Sequence, residues 1–167
     1  ELIPKKSWSN KTLTDKIWQL KEGDLVSFRP KAKGTFVLDH RYRKQVMFST
    51  VTGVAPFVSM IRAYRRGYYP KYFEFHVIQC ASYKNEFGYM RELLNYHRWG
   101  IIQYVPTVSR SKEELNKGWL GVTGRIIHMF DAYFNAWGIR PDDETIIYLC
   151  GHPGLIQDMG NEDPNLK

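Results

Sequence analysis

From residue 44 onward, short apolar runs alternate with stretches of helical period, and that alternation restricts the fold more than any other feature of the chain. Val46, Met47 and Phe48 form the first run, closed by the small hydroxyl residues Ser49 and Thr50 and by Gly53. Phe57, Met60, Ile61 and Tyr64 then share one helical face behind Pro56. A second strand is expected over residues 72–82, with Phe73, Phe75, Val77 and Ile78 as its apolar members. A helix is expected over residues 88–99, placing Met90, Leu93, Leu94 and His97 on one face, followed by a third strand over residues 101–109. Residues 122–137 read as a long helix with Ile127, Phe130, Phe134 and Trp137 facing inward and Gly138 ending it. Residues 145–150 give a fourth strand, and Pro153 opens another helix. Repeated βα units of this kind predict an α/β fold: a Rossmann-like parallel sheet with helices on both faces.

Ligands of such sheets bind outside the carboxyl ends of the strands, so residues 50–56, 80–84, 108–110 and 150–153 should line one edge. The turn after the first strand suits an anion. Pro56 fits a first helical turn because its missing N–H has no partner to lose there. The N–H groups of Gly53, Val54 and Ala55 are expected to face the ligand, helped by the helix dipole, and Gly53 lets it approach the main chain. A strand-turn-helix with one glycine is also ordinary α/β packing, so this turn alone does not decide the function.

Before residue 44 the pattern differs. A short helix is expected over residues 12–20, then a turn at Gly23-Asp24, then short strands over residues 25–29 and 35–38, a small antiparallel β unit too short to stand alone. The expected boundary sets residues 1–43 apart from 44–167. The chain does not begin with Met and stops soon after a strand and a turn, so both ends are expected to be cut, the second domain being truncated at its C-terminus.

No apolar run approaches the roughly 20 residues of a membrane span. Two cysteines, Cys80 and Cys150, lie in different strand patterns and imply no disulfide scaffold; a reducing, cytoplasmic setting is expected. No Cys/His spacing suits a metal. The formal charge of +7 is first that of a basic solvated surface. The sharper reading is capture of an anionic partner, a phosphorylated cofactor, an acidic protein or nucleic acid, with basic residues gathered at Arg41, Arg43 and Lys44 and at Arg62, Arg65, Arg66 and Lys71. Aromatics lie among them, but no RNA-binding signature does, and a nucleic-acid partner is not expected.

Four motifs in order carry a resemblance: Ser49-Thr50-Val51-Thr52-Gly53-Val54-Ala55-Pro56-Phe57, Tyr104-Val105-Pro106-Thr107-Val108-Ser109-Arg110, Thr123-Gly124-Arg125 and Leu149-Cys150-Gly151-His152-Pro153. Together the chain resembles the ferredoxin–NADP⁺ reductase family over nearly its whole length, residues 1–43 looking like the end of the flavin-binding barrel. The resemblance implies an oxidoreductase that transfers a hydride between NADPH and FAD, and electrons to or from an acidic redox protein such as ferredoxin or flavodoxin. It implies that Thr14 touches the flavin diphosphate and that Thr52, Gly53, Val54, Ala55 and Pro56 form the phosphate turn, with Val51 standing where the commoner pattern has glycine. It assigns Ser109, Arg110 and Arg125 to the cofactor's 2′-phosphate, which a planar guanidinium suits. Ser82, Tyr83 and Lys84 form the tip of the second strand; no acid stands there to take a ribose hydroxyl, which favours NADPH over NADH. Tyr83 could stack on adenine and Lys84 supply charge. Cys150 lies beside the nicotinamide as a wall of its pocket and not as a nucleophile, with Gly151, His152 and Pro153 next to it; a small buried strand cysteine is the plainer reading. Hydride transfer between nicotinamide and flavin needs no protein base, so no histidine is assigned one. The family's Arg-x-Tyr-Ser flavin motif and C-terminal aromatic are not in this sequence, so the 167-residue chain itself is expected to hold flavin poorly and to be inactive, FAD belonging to a full-length parent. The alternatives are a flavin-free NAD(P)-binding module, an electron-transfer subunit of a larger complex and a basic nucleic-acid binder.

Overall fold

The computed structural model describes residues 13–28, 30–31, 33–69, 72–139, 144–155 and 157. Thr12, Arg29 and Lys71, which the sequence assigns to the first helix, the first short strand and a basic cluster, lie outside the described residues. The chain divides into two compact units, Glu1–Phe36 and Val37–Lys167.

In the first unit the expected helix is α1 (Leu13–Gln19), with Asp15 in its first turn where the dipole favours an acid. No residue of α1 is buried, and Leu13, Ile17 and Trp18 stand exposed. The short strands expected over residues 25–29 and 35–38 are not formed among the described residues. A strand needs a neighbour to take its N–H and C=O groups, and none pairs here; Leu25 and Phe28 are left exposed.

The second unit is built on five strands: β1 (Lys44–Thr50), β2 (Glu74–Ala81), β3 (Ile102–Val108), β4 (Val122–Thr123) and β5 (Thr145–Cys150). Their order is β4-β3-β2-β1-β5, and every pair is parallel. The chain thus steps outward from β1 to β4, then returns to the other side of β1, which makes the β1/β5 junction the topological switch point. Successive strand residues point to opposite faces. Met47 accordingly packs with Phe57 and Ile61 of α2 (Val54–Arg65) and Leu93 and Tyr96 of α3 (Met90–Arg98). Val46 and Phe48 pack on the opposite face with Ile126, Leu155 and Phe134 of α4 (Phe130–Ala136). Phe48 stacks on Phe130 and Phe134 with ring centroids 5.1 and 6.2 Å away. Helices on both faces explain why β1 reads as an unbroken apolar run.

Two expectations are corrected. The single helix over residues 122–137 is three elements: β4, a 3₁₀ turn over Ile126–Met129, and α4. Gly124 breaks it, with φ +129, a conformation that disfavours side chains, and its N–H donates to Val108 O at 2.8 Å as an extension of the sheet. Ile126, rather than Ile127, takes the buried position, whereas Phe134 faces inward as expected. The strand ending at Cys150, expected as the fourth, is consequently the fifth, and it lies at the sheet's edge among the described residues, because β2, β3 and β4 all stand on the other side of β1.

Candidate functional site

Parallel pairing sets all the strand tips on one edge. Ser49 is level with Cys150, Thr50 with Cys80, and Val108 with both Ala81 and Thr123. The four segments expected to share an edge, residues 50–56, 80–84, 108–110 and 150–153, therefore do so.

At the switch point the chain is shaped by backbone against backbone. After β1 come a 3₁₀ turn, Val51–Gly53, and then α2, with Pro56 in its first turn. A Cβ on Gly53 would lie 2.0 Å from Cys150 O, so the need for glycine here comes from contact with the end of β5 and not only from a ligand's approach. Gly151 is equally confined, since a Cβ there would lie 2.0 Å from Thr50 Oγ1. That hydroxyl oxygen accepts the His152 N–H at 2.7 Å, and His152 Nδ1 accepts the Gly154 N–H at 3.0 Å. Thr50 thus fastens residues 151–154 to the first turn. Thr52 is exposed beside it, Gly53 and Val54 are buried, and Ala55 and Pro56 are half-buried. Val51 has φ +45, the left-handed region, where a β-branched residue is strained. Its carbonyl is held by buried Gln79, whose Nε2 donates to Val51 O at 3.1 Å and to Gly88 O at 3.3 Å, while Tyr104 OH donates to Gln79 Oε1 at 2.7 Å. Burial raises the Tyr104 hydroxyl's pKa, keeping it a donor. The Cys150 thiol is half-buried and its pKa is also raised by burial, which leaves it protonated and a poor nucleophile.

At the other end of the edge, side chains make the structure. Asn116, 2% exposed, donates from Nδ2 to Ser82 O at 2.9 Å and Arg110 O at 2.8 Å, while its Oδ1 accepts the Lys84 N–H at 2.8 Å. One amide thus ties the loop after β2 to the loop after β3. Glu86 Oε2 accepts the N–H groups of Ser82 and Tyr83 at 2.9 and 3.1 Å. The Lys84 ammonium is tethered to Lys117 O. Ser109 is fixed by its N–H to Ala81 O at 2.9 Å. Arg110 Nη1 donates to Tyr83 OH at 3.1 Å, and Tyr83 OH donates to Glu113 Oε2 at 2.6 Å. The Glu113 carboxylate raises the Tyr83 pKa, and the bond to Tyr83 in turn raises that of Arg110. Arg125 is exposed, one residue past the Gly124 that pairs with Val108, so its main chain emerges beside Ser109.

Sequence reasoning did not single out Asn116, Glu113, Glu86 or Gln79. Asn116 and Glu113 sit in a polar run that reads as a surface turn, and their partners are some 30 residues away. Glu86 carried one signal, an acid three residues past Tyr83 where it can cap the turn's free N–H groups.

The basic clusters fall elsewhere. Arg43 and Lys44 are at the amino end of β1, and Arg62, Arg65 and Arg66 end α2, a helix of 12 residues running back about 18 Å from the strand tips. Arg41 pairs with Asp39, Arg43 with Glu74 and Arg62 with Glu92. Arg65 stacks over Tyr96 and Trp99. Thr14, in the other compact unit, is exposed in the first turn of α1. His97 contacts Ile102 O through Nδ1 at 3.2 Å, and His76 is buried against Trp137 with Nδ1 unpartnered, so neither faces the crevice. No group of three or more His, Cys, Asp or Glu among the described residues could hold a metal ion, and no described helix is long and apolar enough to cross a membrane.

A parallel sheet with a switch-point turn and a polar loop pair on the same edge defines the class of nucleotide-binding α/β domains. The chain belongs to the oxidoreductase NAD-binding domain family, whose model matches residues 47–161. It is similar to two proteins named flavodoxin/ferredoxin–NADP reductase. The one from Buchnera aphidicola subsp. Baizongia pistaciae (strain Bp) is 24% identical over 163 residues, covering 91% of this chain and 61% of the relative. That from Buchnera aphidicola subsp. Schizaphis graminum (strain Sg) is 26% identical over 157 residues, covering 89% and 58%. The resemblance to the ferredoxin–NADP⁺ reductase family is thereby borne out for the NAD(P)-binding domain. The chain spans about three-fifths of these relatives' length. Among solved structures, the cytochrome b5 reductase domain of Ulva prolifera nitrate reductase shares the fold with a TM-score of 0.58 at 20% identity, over 70% of this chain and 41% of that one. The flavohemoglobin from Malassezia yamatoensis with bound FAD and heme does so at 0.54 and 16%, over 75% and 29%.

Proposed function

We propose that this chain is the nicotinamide-nucleotide half of a reductase of the ferredoxin–NADP⁺ reductase type, holding NADP(H) across the strand tips. The observation that carries the reading is the alignment on one sheet edge of the β1/β5 turn with Ser109, Arg110, Lys84 and Arg125. The first turn of α2, with Thr52, Gly53, Val54, Ala55 and Pro56, receives the pyrophosphate through the helix dipole. Ser109, Arg110 and Arg125 take the 2′-phosphate, the guanidiniums by paired N–H donors, with Ser82 beside them at the tip of β2. Tyr83 offers its ring to the adenine and Lys84 its charge. Cys150, Gly151, His152 and Pro153, fastened through Thr50, form the wall against which the nicotinamide lies.

The bound dinucleotide supplies the hydride, and the chain supplies position: a fixed ring orientation turns a two-body encounter into a directed one. The acceptor in such reductases is a flavin; the chain's own part is to present the nicotinamide to it, and the 167-residue polypeptide is expected to bind nucleotide without turning over by itself. The relatives' names support ferredoxin or flavodoxin as the redox partner, and a net charge of +7 supports salt-sensitive attraction of an acidic protein.

Calorimetric titration of NADP⁺ tests the reading. Binding to the wild-type chain, with a loss of about tenfold or more in Arg110→Ala, is the expected result. Absence of binding, or an Arg110→Ala affinity equal to wild type, contradicts it.

A further inference from the structure

We infer that Glu113 sets the cofactor preference of this crevice by supplying, from the loop after β3, the acid that the tip of β2 lacks. The inference rests on the proposed nucleotide site and concerns how that site treats the ribose 2′ position. The tip of β2 carries Ser82, Tyr83 and Lys84, none able to accept a ribose hydroxyl as a carboxylate does. Glu113 reaches the same place from the other side: Oε2 accepts the Tyr83 hydroxyl at 2.6 Å, and Oε1 lies 3.5 Å from Arg110 Nη1. Their main chains are held together by the buried Asn116 amide, which bonds Ser82 O, Arg110 O and Lys84 N at once. The proximity of Glu113 to Arg110 is therefore built into the loops.

Arg110 and Glu113 side chains are 55% and 48% exposed, so a ligand can reach both. A ribose 2′-hydroxyl can donate to the carboxylate. A 2′-phosphate must instead take Arg110, and then lies within a few ångströms of a second anion; Coulomb repulsion at that range persists in partly aqueous surroundings. The acid thus favours the unphosphorylated ribose and the arginine the phosphorylated one, and the wild-type site discriminates less than its serine and arginines alone imply.

The test uses the whole 167-residue chain with two probes, adenosine 2′,5′-bisphosphate and adenosine 5′-monophosphate, titrated against wild type and Glu113→Gln. Gln keeps the shape and removes the charge. We expect the bisphosphate to tighten about tenfold and the monophosphate to weaken about threefold. The ratio of the two affinities thus removes any general change in folding. If wild type binds both probes and the variant's ratio stays within twofold, the inference falls while the nucleotide site stands. If wild type binds neither, the site and the inference fall together.

Discussion

The two ends of the strand-tip edge are made differently. At the β1/β5 junction the shape comes from main chain packed on main chain: Gly53 against Cys150 O and Gly151 against Thr50. Between β2 and β3 it comes from side chains: Glu86 caps the loop after β2, and Asn116 and the Arg110–Tyr83–Glu113 chain of bonds tie that loop to the one after β3. The first construction leaves no room for an added methyl group. The second can be retuned by exchanging one side chain, which is why we propose cofactor preference there and pyrophosphate binding at the turn.

The contrast is broken most forcefully at Gly53. Gly53→Ala forces a methyl into the β5 carbonyl and should cost about 3 kcal/mol in chemical denaturation; a loss near zero would mean the junction yields. Asn116→Ala comes next. It strips partners from Ser82 O, Arg110 O and Lys84 N, and should cost about 2 kcal/mol while weakening the 2′-phosphorylated probe more than the monophosphate. A stability loss with no change in that preference would show that Asn116 supports the fold and not the subsite.

His76 gives a reference point away from both ends. It is buried against Trp137 with an unpartnered Nδ1, and burial lowers its pKa from 6.5 to about 4, Glu74 and Lys44 being the nearby charges acting on it. The unfolded chain therefore takes up a proton between those values that the folded chain refuses, and stability falls as pH drops from 6.5 towards 4. His76→Leu should remove that limb, gaining on the order of 1 kcal/mol more at pH 5 than at pH 8. An unchanged pH slope would place the acid sensitivity elsewhere. The smallest effect is expected at Val51, whose φ of +45 suits glycine. Relief of strain and added backbone freedom oppose each other, so Val51→Gly should leave stability within about 1 kcal/mol. It should tighten NADP⁺ binding severalfold by opening the turn; weaker binding would show that the valine shapes the turn productively.

The sequence carried the βα alternation, and with it the parallel sheet, because strands buried on both faces leave apolar runs such as Val46-Met47-Phe48. It carried the edge too, since topology alone sets strand tips side by side. What stayed hidden was the two-residue strand β4, too short for any period, and the break at Gly124, where apolar residues on either side mimic one helical face. In the site, main-chain features were legible in part: Gly53 was singled out, but its contact with Cys150 depends on the pairing of β1 with β5, which lie far apart in the sequence. Asn116 and Glu113 were not legible, because a polar residue in a loop looks the same in sequence whether it meets water or a backbone 30 positions away.

The central claim is that one edge of one sheet receives the nucleotide. Titrating NADP⁺ into the ¹⁵N-labelled chain and following amide shifts tests it residue by residue. The account predicts movement at residues 50–56, 82–86, 109–116, 124–125 and 150–154, with residues 41–44 and 62–66 unmoved. Shifts confined to the opposite edge, or to only one of the two strand-tip ends, would contradict it.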